Sequence, residues 1–211
     1  MNCHHHTLPE LELSSHQVRE SLQMLLHSIL FLRAPGPIAP TDVCCEHFSF
    51  SYSKIGKVDD VDRQIDSAVA DFLRSLVPIG PELSKGTVSL TFFERRVSKA
   101  FLGLVSTEER VVWEVWHLPL LVNSTPRPVN DDGASVVERH RIQSTAEVAL
   151  KRSMAQIHLF AAEIDHVPPV MYEFSISAGK GGGGRGGGGE EERENVYARV
   201  AQMPALINLS H

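Results

Sequence analysis

The N-terminal residues concentrate side chains that could ligate a metal ion. Cys3 is followed by His4, His5 and His6, and thiolate and imidazole groups are ligands that zinc prefers in proteins. Three adjacent side chains cannot all turn toward one ion without strain, and their spacing matches no structural zinc pattern. We therefore predict a disordered terminus here rather than a metal site.

Two adjacent cysteines form a second group of this kind. Cys44 and Cys45 lie close to His47, but this spacing is no better for a metal, and ordinary half-buried thiols are predicted. Three cysteines, two of them adjacent, make no disulfide framework. The cysteine content therefore fits a reducing, cytoplasmic setting.

The sequence contains no familiar catalytic motif. Gly-x-Ser-x-Gly, His-Glu-x-x-His and the kinase signatures are all missing. Glu114 is the most notable ionisable residue, because it lies between Trp113 and Val115 in an apolar segment. If it is buried, its carboxylate needs a partner, and we expect a basic side chain on a neighbouring strand. Structural ion pairs of this kind are common, so we predict neither an enzyme nor a cofactor.

The charge balance argues against nucleic acid as a partner. Twenty basic residues stand against 26 acidic ones, a net charge of -6, which disfavours phosphate backbones. The glycine tract from Gly179 to Gly189 lacks the ending of a phosphate loop, and its single Arg185 is followed by acidic residues. No apolar run approaches the roughly 20 residues of a transmembrane helix.

The segment that carries Glu114 predicts a buried strand. Arg110–Leu118 is rich in β-branched and aromatic residues. Alternation would place Trp113 on one face and Trp116 on the other, so both faces need a cover, with helices on one side. Pro119 cannot donate a backbone hydrogen bond, so strand pairing should weaken there or the strand should lie at an edge of the sheet.

Three helices are predicted to pack on the sheet. The first follows the capping box Ser14-x-x-Gln17 and ends near Arg33, whose charge suits the negative helix end. The second begins near Asp59. The third begins at a capping box over 144–147, after a polar connection over 123–143.

Short apolar or alternating segments predict the remaining strands: 8–13, 48–53, 88–93 and 171–177. Residues 97–109 are predicted as the loop of an antiparallel hairpin that joins 88–93 to the Glu114 strand. The loop carries Phe101, Leu102 and Leu104, which would be exposed unless the loop folds back or meets another protein. The sequence supports these two alternatives equally.

Composition divides the chain into three parts. Residues 1–178 are predicted to form one domain. Residues 179–194 are predicted to be a disordered glycine-rich and acidic linker, because they offer no apolar area to bury. Residues 195–211 form a C-terminal segment that is apolar enough to dock on the sheet.

Several short strings occur together in the order found in one family: Met1-Asn-Cys3, Gln17-Val-x-Glu20 through Leu26-His27 to Arg33, Val61-Asp-Arg63, Val88-Ser-Leu90 with Phe92, and Trp113-Glu-Val-Trp116. In these strings the chain resembles the autophagy-related protein 101 family, whose members are HORMA-domain subunits of the autophagy initiation kinase complex. The resemblance covers Met1 to about Ser177, and Trp113, Glu114, Val115 and Trp116 are its most specific residues.

The resemblance implies an α+β HORMA domain, with three helices on a mainly antiparallel sheet and a flexible C-terminal segment. It implies a non-catalytic adaptor that acts in the cytoplasm and at the phagophore assembly site. This adaptor would bind and stabilise the HORMA domain of autophagy-related protein 13 and help to recruit downstream factors for autophagosome formation.

The resemblance also suggests where partners would bind. Family members commonly expose a Trp and Phe pair in the loop before the Trp-Glu-Val-Trp strand, and this loop recruits downstream factors. This chain has no tryptophan there, so Phe101, Leu102 and Leu104 are the candidate contacts. For the heterodimer we expect a surface along the third helix, with Lys151, Met154, Ile157 and His158. The alternative function is that of a small-molecule- or nucleotide-binding α+β protein or enzyme, with Glu114 in a cleft.

Overall fold

The strand that carries Glu114 is the central strand of a mixed sheet. The computed structural model describes residues 3–36, 38–56, 59–100, 105–125 and 132–180. In chain order its helices and strands are β1 (His4–Thr7), β2 (Leu11–Ser14), α1 (Val18–Leu32), β3 (Pro40–Cys44), β4 (Ser51–Ile55), α2 (Asp59–Ser75), β5 (Val77–Pro78), β6 (Leu83–Ala100), β7 (Val105–Asn123), α3 (Gly133–Ala161) and β8 (Glu173–Lys180). The predicted α+β class is confirmed.

The long strand β7 has neighbours on both of its edges. On one edge it runs antiparallel to β6, which in turn pairs antiparallel with β5 and β8. On the other edge β1 and β2 run parallel to it, while β3 and β4 form a separate hairpin. The gap between β1 and β2 lies opposite Leu118 and Pro119, which agrees with the predicted weakening of pairing at the proline.

A β-bulge changes the faces of β7. Phe92 pairs with Glu114 while the next residue, Phe93, pairs with Val112, so Trp113 is an extra residue in the ladder. Because of this extra residue, Trp113 and Trp116 both lie in the core. The prediction that the two tryptophans lie on opposite faces is therefore wrong.

The first two helices begin where the sequence predicted. The capping box of Ser14 and Gln17 opens a short 3-10 turn that leads directly into α1. Helix α2 begins at Asp59 and packs on the sheet at Gly86. A Cβ atom at Gly86 would lie 2.5 Å from the Phe72 ring, so only glycine permits this close packing.

The third helix begins eleven residues before the predicted capping box, so that prediction is wrong. The side chain of Asp132 caps the helix by accepting a hydrogen bond from the Ser135 amide. The added first turns are solvated and contain the Glu138–Arg141 ion pair. They have no apolar periodicity, which is why the sequence pattern indicated a polar connection.

Two strand predictions also need correction. Most of the predicted loop 97–109 is strand, because β6 continues to Ala100 and β7 begins at Val105. In the 48–53 region only Ser51–Ile55 is a strand, and its partner β3 was not predicted. Phe48 precedes the strand but is buried in the core, so its apolar character reflects packing rather than strand pairing.

More of the chain is ordered as strand near its two ends than the sequence predicted, in the parts that the structure describes. The predicted disordered histidine tract is the strand β1, so that prediction is wrong. β8 includes Gly179 and Lys180, the first two residues of the predicted linker. Residues 181–211 lie outside the described residues, as do Phe101, Leu102 and Leu104, so the predicted linker, the docking segment and the loop contacts stay predictions.

Candidate functional site

A buried carboxylate on β7 organises the interior beside the two core tryptophans. Glu114 is fully buried, and Arg33 lies directly against it. Arg33 Nε donates to Oε2 of Glu114 at 2.9 Å, and Nη2 donates to Oε1 at 2.7 Å. Arg33 is the C-cap residue of α1. The predicted basic partner of Glu114 therefore exists, but it comes from a helix end rather than from a neighbouring strand.

Two histidines complete the buried cluster. His6 Nε2 lies 3.0 Å from Oε1 of Glu114, and His166 Nε2 lies 2.9 Å from the same oxygen. His6 comes from β1, and its ring also contacts the Trp116 ring at a centroid distance of 4.5 Å. Each histidine is at most 9% exposed. We call Arg33, His6, Glu114 and His166 the Glu114 cluster.

The Arg33 side chain also holds the end of α3. Its Nη1 donates to the carbonyl of Ala161 at 2.8 Å, and its Nη2 donates to the carbonyl of Glu163 at 3.2 Å. The Tyr172 hydroxyl donates to the Arg33 carbonyl. A single guanidinium therefore joins the ends of α1 and α3 to the middle of β7, which explains why a charged residue is kept in the core.

The ionisation of the Glu114 cluster follows from these contacts. Burial favours the neutral acid, but hydrogen bonds from Arg33 and His166 together with the Arg33 charge outweigh it and lower the pKa of Glu114. Burial lowers the pKa of His6, and the Arg33 charge adds to this effect against the opposing pull of Glu114. We therefore describe a charged Glu114–Arg33 pair with a neutral His6 beside it.

The Glu114 cluster has the ligand types of a metal site, but its contacts favour a closed ion pair. The possible ligand atoms of His6, Glu114 and His166 lie within 4.8 Å of one another. However, the distances to Oε1 are those of ordinary N–H···O hydrogen bonds, and Arg33 already neutralises the carboxylate. A divalent ion would add its charge to a buried cation at high cost. The residues therefore fit a structural role better than a metal.

A second feature is the exposed face of α3. From Arg141 onward, six of the solvent-exposed residues of this helix form a row with a spacing of three or four: Arg141, Thr145, Val148, Arg152, Ala155 and Leu159. Val148 is 61% exposed and Leu159 is 65% exposed. The opposite face buries Leu150 and Ile157 in the core. We call the exposed set the α3 stripe.

The four residues predicted for the heterodimer fall on different sides of α3. Lys151 and His158 are exposed beside the α3 stripe. Met154 is half-buried against the core and Ile157 is fully buried, so the Ile157 side chain cannot contact a partner. Sequence reasoning did not single out Val148 and Leu159 as exposed, although the 3.6-residue period relative to Leu150 and Ile157 could have identified them.

The structure also has a surface cleft of about 530 Å³ between β2 and the first half of α3. Leu13, Gln17 and Ala146 line it together with the Arg141–Glu138 pair. Glu114 does not line this cleft, so the rival prediction of a ligand site around Glu114 finds no opening there. No described helix is long and apolar enough to cross a membrane.

Comparison with known proteins gives a consistent result. A family model for autophagy-related protein 101 matches residues 10–173. Autophagy-related protein 101 of Arabidopsis thaliana is 32% identical over 181 residues, which cover 81% of this chain and 82% of the relative. The Homo sapiens protein of the same name is 23% identical over 184 residues, which cover 79% of this chain and 81% of the relative.

Three helices on a mainly antiparallel sheet, with a closed ion pair at the centre, define an α+β domain of the HORMA type. The matched range runs from just before β2 to the first residue of β8. The chain belongs to the autophagy-related protein 101 family, and it is therefore an autophagy-related protein.

Proposed function

We propose that this protein is a non-catalytic adaptor of the autophagy initiation kinase complex, which binds and stabilises the HORMA domain of autophagy-related protein 13. It would act in the cytoplasm and at the phagophore assembly site. Family membership supports the role in autophagy. The observation that carries the proposed partner contact is the α3 stripe.

The α3 stripe has the spacing and size of a helix-packing surface. Val148 and Leu159 are large apolar side chains exposed to solvent, and the small Ala155 lies between them. A three-and-four-residue spacing with a small central residue lets a second helix approach closely. Exposed aliphatic groups in such a row are typical of a surface that another protein covers.

The positive charge on and beside the α3 stripe favours a different protein over a second copy of this chain. Arg152 and Lys151 are exposed, and the carboxylate of Glu147, which lies 3.9 Å from Lys151 Nζ, is only 12% exposed and also accepts hydrogen bonds from Ser49. Two identical faces would bring these cations together, which is unfavourable. A partner helix with acidic residues would be attracted to the same face, so a heterodimer fits better.

A non-catalytic role agrees with the closed state of the Glu114 cluster. The side chains of Glu114 and Arg33 are 0% and 2% exposed, so a substrate cannot reach the carboxylate without opening the core. Glu114 then acts as a structural anchor. Recruitment of downstream factors is assigned to the end of the β6–β7 hairpin, where Phe101, Leu102 and Leu104 follow the last residue of β6.

The heterodimer is tested with purified protein and the HORMA domain of autophagy-related protein 13. We expect one complex at micromolar concentrations of both, measured by size-exclusion chromatography with light scattering. Leu159→Glu and Val148→Glu should each weaken binding by more than about tenfold, because each places a charge in a packed apolar contact.

Ile79→Glu is the matched control for these variants. Ile79 is an aliphatic residue, 54% exposed, that follows β5 and lies outside the α3 stripe, and its substitution should leave binding unchanged. Separate monomers of the unmodified proteins would overturn the proposed partner. Equal binding by the Leu159 and control variants would overturn the proposed surface while leaving the partner in place.

Recruitment through the hairpin is tested with Phe101→Ala. The variant should fold normally and keep the heterodimer, but it should lose capture of downstream autophagy factors in a pull-down from cells. Unchanged capture would assign recruitment to another surface.

The alternative is a small-molecule-binding protein, and the cleft beside β2 is the observation that favours it. This function predicts a shift of the melting temperature with a metabolite, and that Glu12→Trp, at an exposed residue that lines the cleft, abolishes the shift. Retention of the heterodimer in the same variant would separate the two functions.

A further inference from the structure

The face of the sheet that points away from the core, which we call the open face, carries a second pair of histidines among the described residues. The register of β1 against β7 places His5 opposite Val115 and Thr7 opposite His117. Because side chains alternate along a strand, His5 points away from the core while His6 points into it. His5 and His117 therefore come close together: their ring centroids are 5.8 Å apart, and the angle between the ring planes is 11°.

The separation of the two ring nitrogens suits a shared ion better than a hydrogen bond. His5 Nδ1 lies 3.5 Å from His117 Nε2, which is long for a hydrogen bond between nitrogen atoms. Two imidazole nitrogens bound to zinc at about 2.0–2.1 Å in tetrahedral geometry are about 3.4 Å apart. The separation of the two nitrogens is therefore close to the one that chelation of a single ion requires.

A neighbouring hydroxyl orients one of the two rings. Ser89 on β6 lies opposite His117, and its Oγ is 3.0 Å from His117 Nδ1. Metal-binding histidines usually use their second ring nitrogen for such a contact, which fixes the ring and its tautomer. With Nδ1 donating to Ser89, His117 Nε2 carries a lone pair directed toward His5.

The electrostatic surroundings differ from those of the Glu114 cluster. There, Arg33 already supplies the positive charge next to the carboxylate. Here, the hydrogen-bond partner of His117 is a neutral hydroxyl and His5 is exposed to solvent. A metal ion bound by this pair would therefore not have to displace an ion pair, and the imidazoles would bind it in their neutral form.

We propose that His5 and His117 chelate one divalent transition-metal ion on the open face of the sheet, with water completing the coordination. The ion would be of the class that imidazole prefers, such as Zn²⁺ or Cu²⁺, and Cu²⁺ should bind more tightly than Zn²⁺. With two protein ligands and open positions, this is a surface site that also permits a ligand from another protein.

This site is tested by titrating the full chain with Zn²⁺ and measuring the heat of binding by isothermal titration calorimetry. We expect one ion per chain, and His5→Ala and His117→Gln should each abolish the binding. Glutamine keeps a polar group near Ser89, and circular dichroism verifies the fold. Ser89→Ala should weaken binding by about tenfold, because the ring loses its orienting contact. His158→Ala, at an exposed histidine on α3, is the matched control and should bind like the unmodified protein.

Three results would overturn the proposed site. The first is the absence of Zn²⁺ binding by the unmodified chain. The second is binding that is lost in His4→Ala and His5→Ala but kept in His117→Gln, which would indicate chelation by the N-terminal tract alone. The third is binding that is lost only in His166→Gln, which would move the ion to the Glu114 cluster.

Discussion

His5 and His6 are adjacent in one strand, yet they belong to two regions with opposite properties. His6 enters the Glu114 cluster, where Arg33 and the core enclose every partner. His5 lies on the open face beside His117 and stays accessible to solvent. The pleat of β1 alone makes this difference. Histidine therefore contributes to stability where the fold encloses it and remains available for ligands where the fold does not.

The enclosed region should be far more sensitive to substitution than the open one. Arg33→Met leaves Glu114 buried without its cation and also removes the donors to the end of α3. Loss of one partner of a buried ion pair typically costs about 3–5 kcal/mol of unfolding free energy. Urea denaturation of the full chain measures this loss.

The double variant Arg33→Met/Glu114→Leu is the control for the Arg33 prediction. It removes both charges, so it should be more stable than the single variant. A loss below about 1 kcal/mol for Arg33→Met would be typical of a surface pair, and it would remove the contrast between the two regions.

Acid should act through the buried histidines before it acts on the carboxylates. Burial lowers the pKa of His27 to about 4, and His6 is lowered as well. A histidine in the unfolded chain takes up a proton near pH 6.5, whereas the buried His27 does so only near pH 4. The contribution of the buried neutral ring to the unfolding free energy is therefore complete above pH 6.5 and is lost as the pH falls toward 4. For His27 alone the loss is about 3 kcal/mol.

Urea denaturation at several pH values between 7 and 4.5 measures the acid dependence. This range lies above the ordinary pKa of Glu114, so that carboxylate contributes little to the slope. His27→Leu should flatten the curve, because the buried titrating group is gone. An unchanged slope in this variant would exclude His27 as the source.

The smallest expected losses of stability come from substitutions of the two neighbouring histidines, His5 and His6. His6→Ala removes a buried hydrogen bond to the charged Glu114 and should cost about 2 kcal/mol. His5→Ala alters an exposed side chain and should change the unfolding free energy by less than about 0.5 kcal/mol. Thermal and urea unfolding of the two variants check this, and equal losses would show that the pleat does not separate the two environments.

The sequence predicted the fold class well because local patterns encode it. The capping box at Ser14 and the apolar face of α2 are local signals, and both helices begin where these signals lie. The beginning of α3 was missed because its first turns are polar and depend on the Asp132 cap rather than on an apolar face. The strand β1 was missed because a histidine tract has no strand signal of its own.

The Glu114 cluster could be predicted only in part. A carboxylate inside a buried strand requires a cation, so the existence of a basic partner followed from the sequence. The identity of Arg33 did not, because the contact joins residues that are 81 positions apart. The prediction that α1 ends near Arg33 is confirmed, because Arg33 is the C-cap residue of this helix. Only the tertiary fold turns that side chain inward.

The bulge at Trp113 has a consequence for the outer half of the β6–β7 hairpin. The extra residue shifts the side-chain alternation of β7 by one position in the numbering, while β6 runs through the bulge with no extra residue of its own. The residue pairs beyond the bulge therefore keep the faces that β6 sets. Deletion of Trp113 would remove a large side chain from the core but leave the outer half of the hairpin displaying the same rows of side chains.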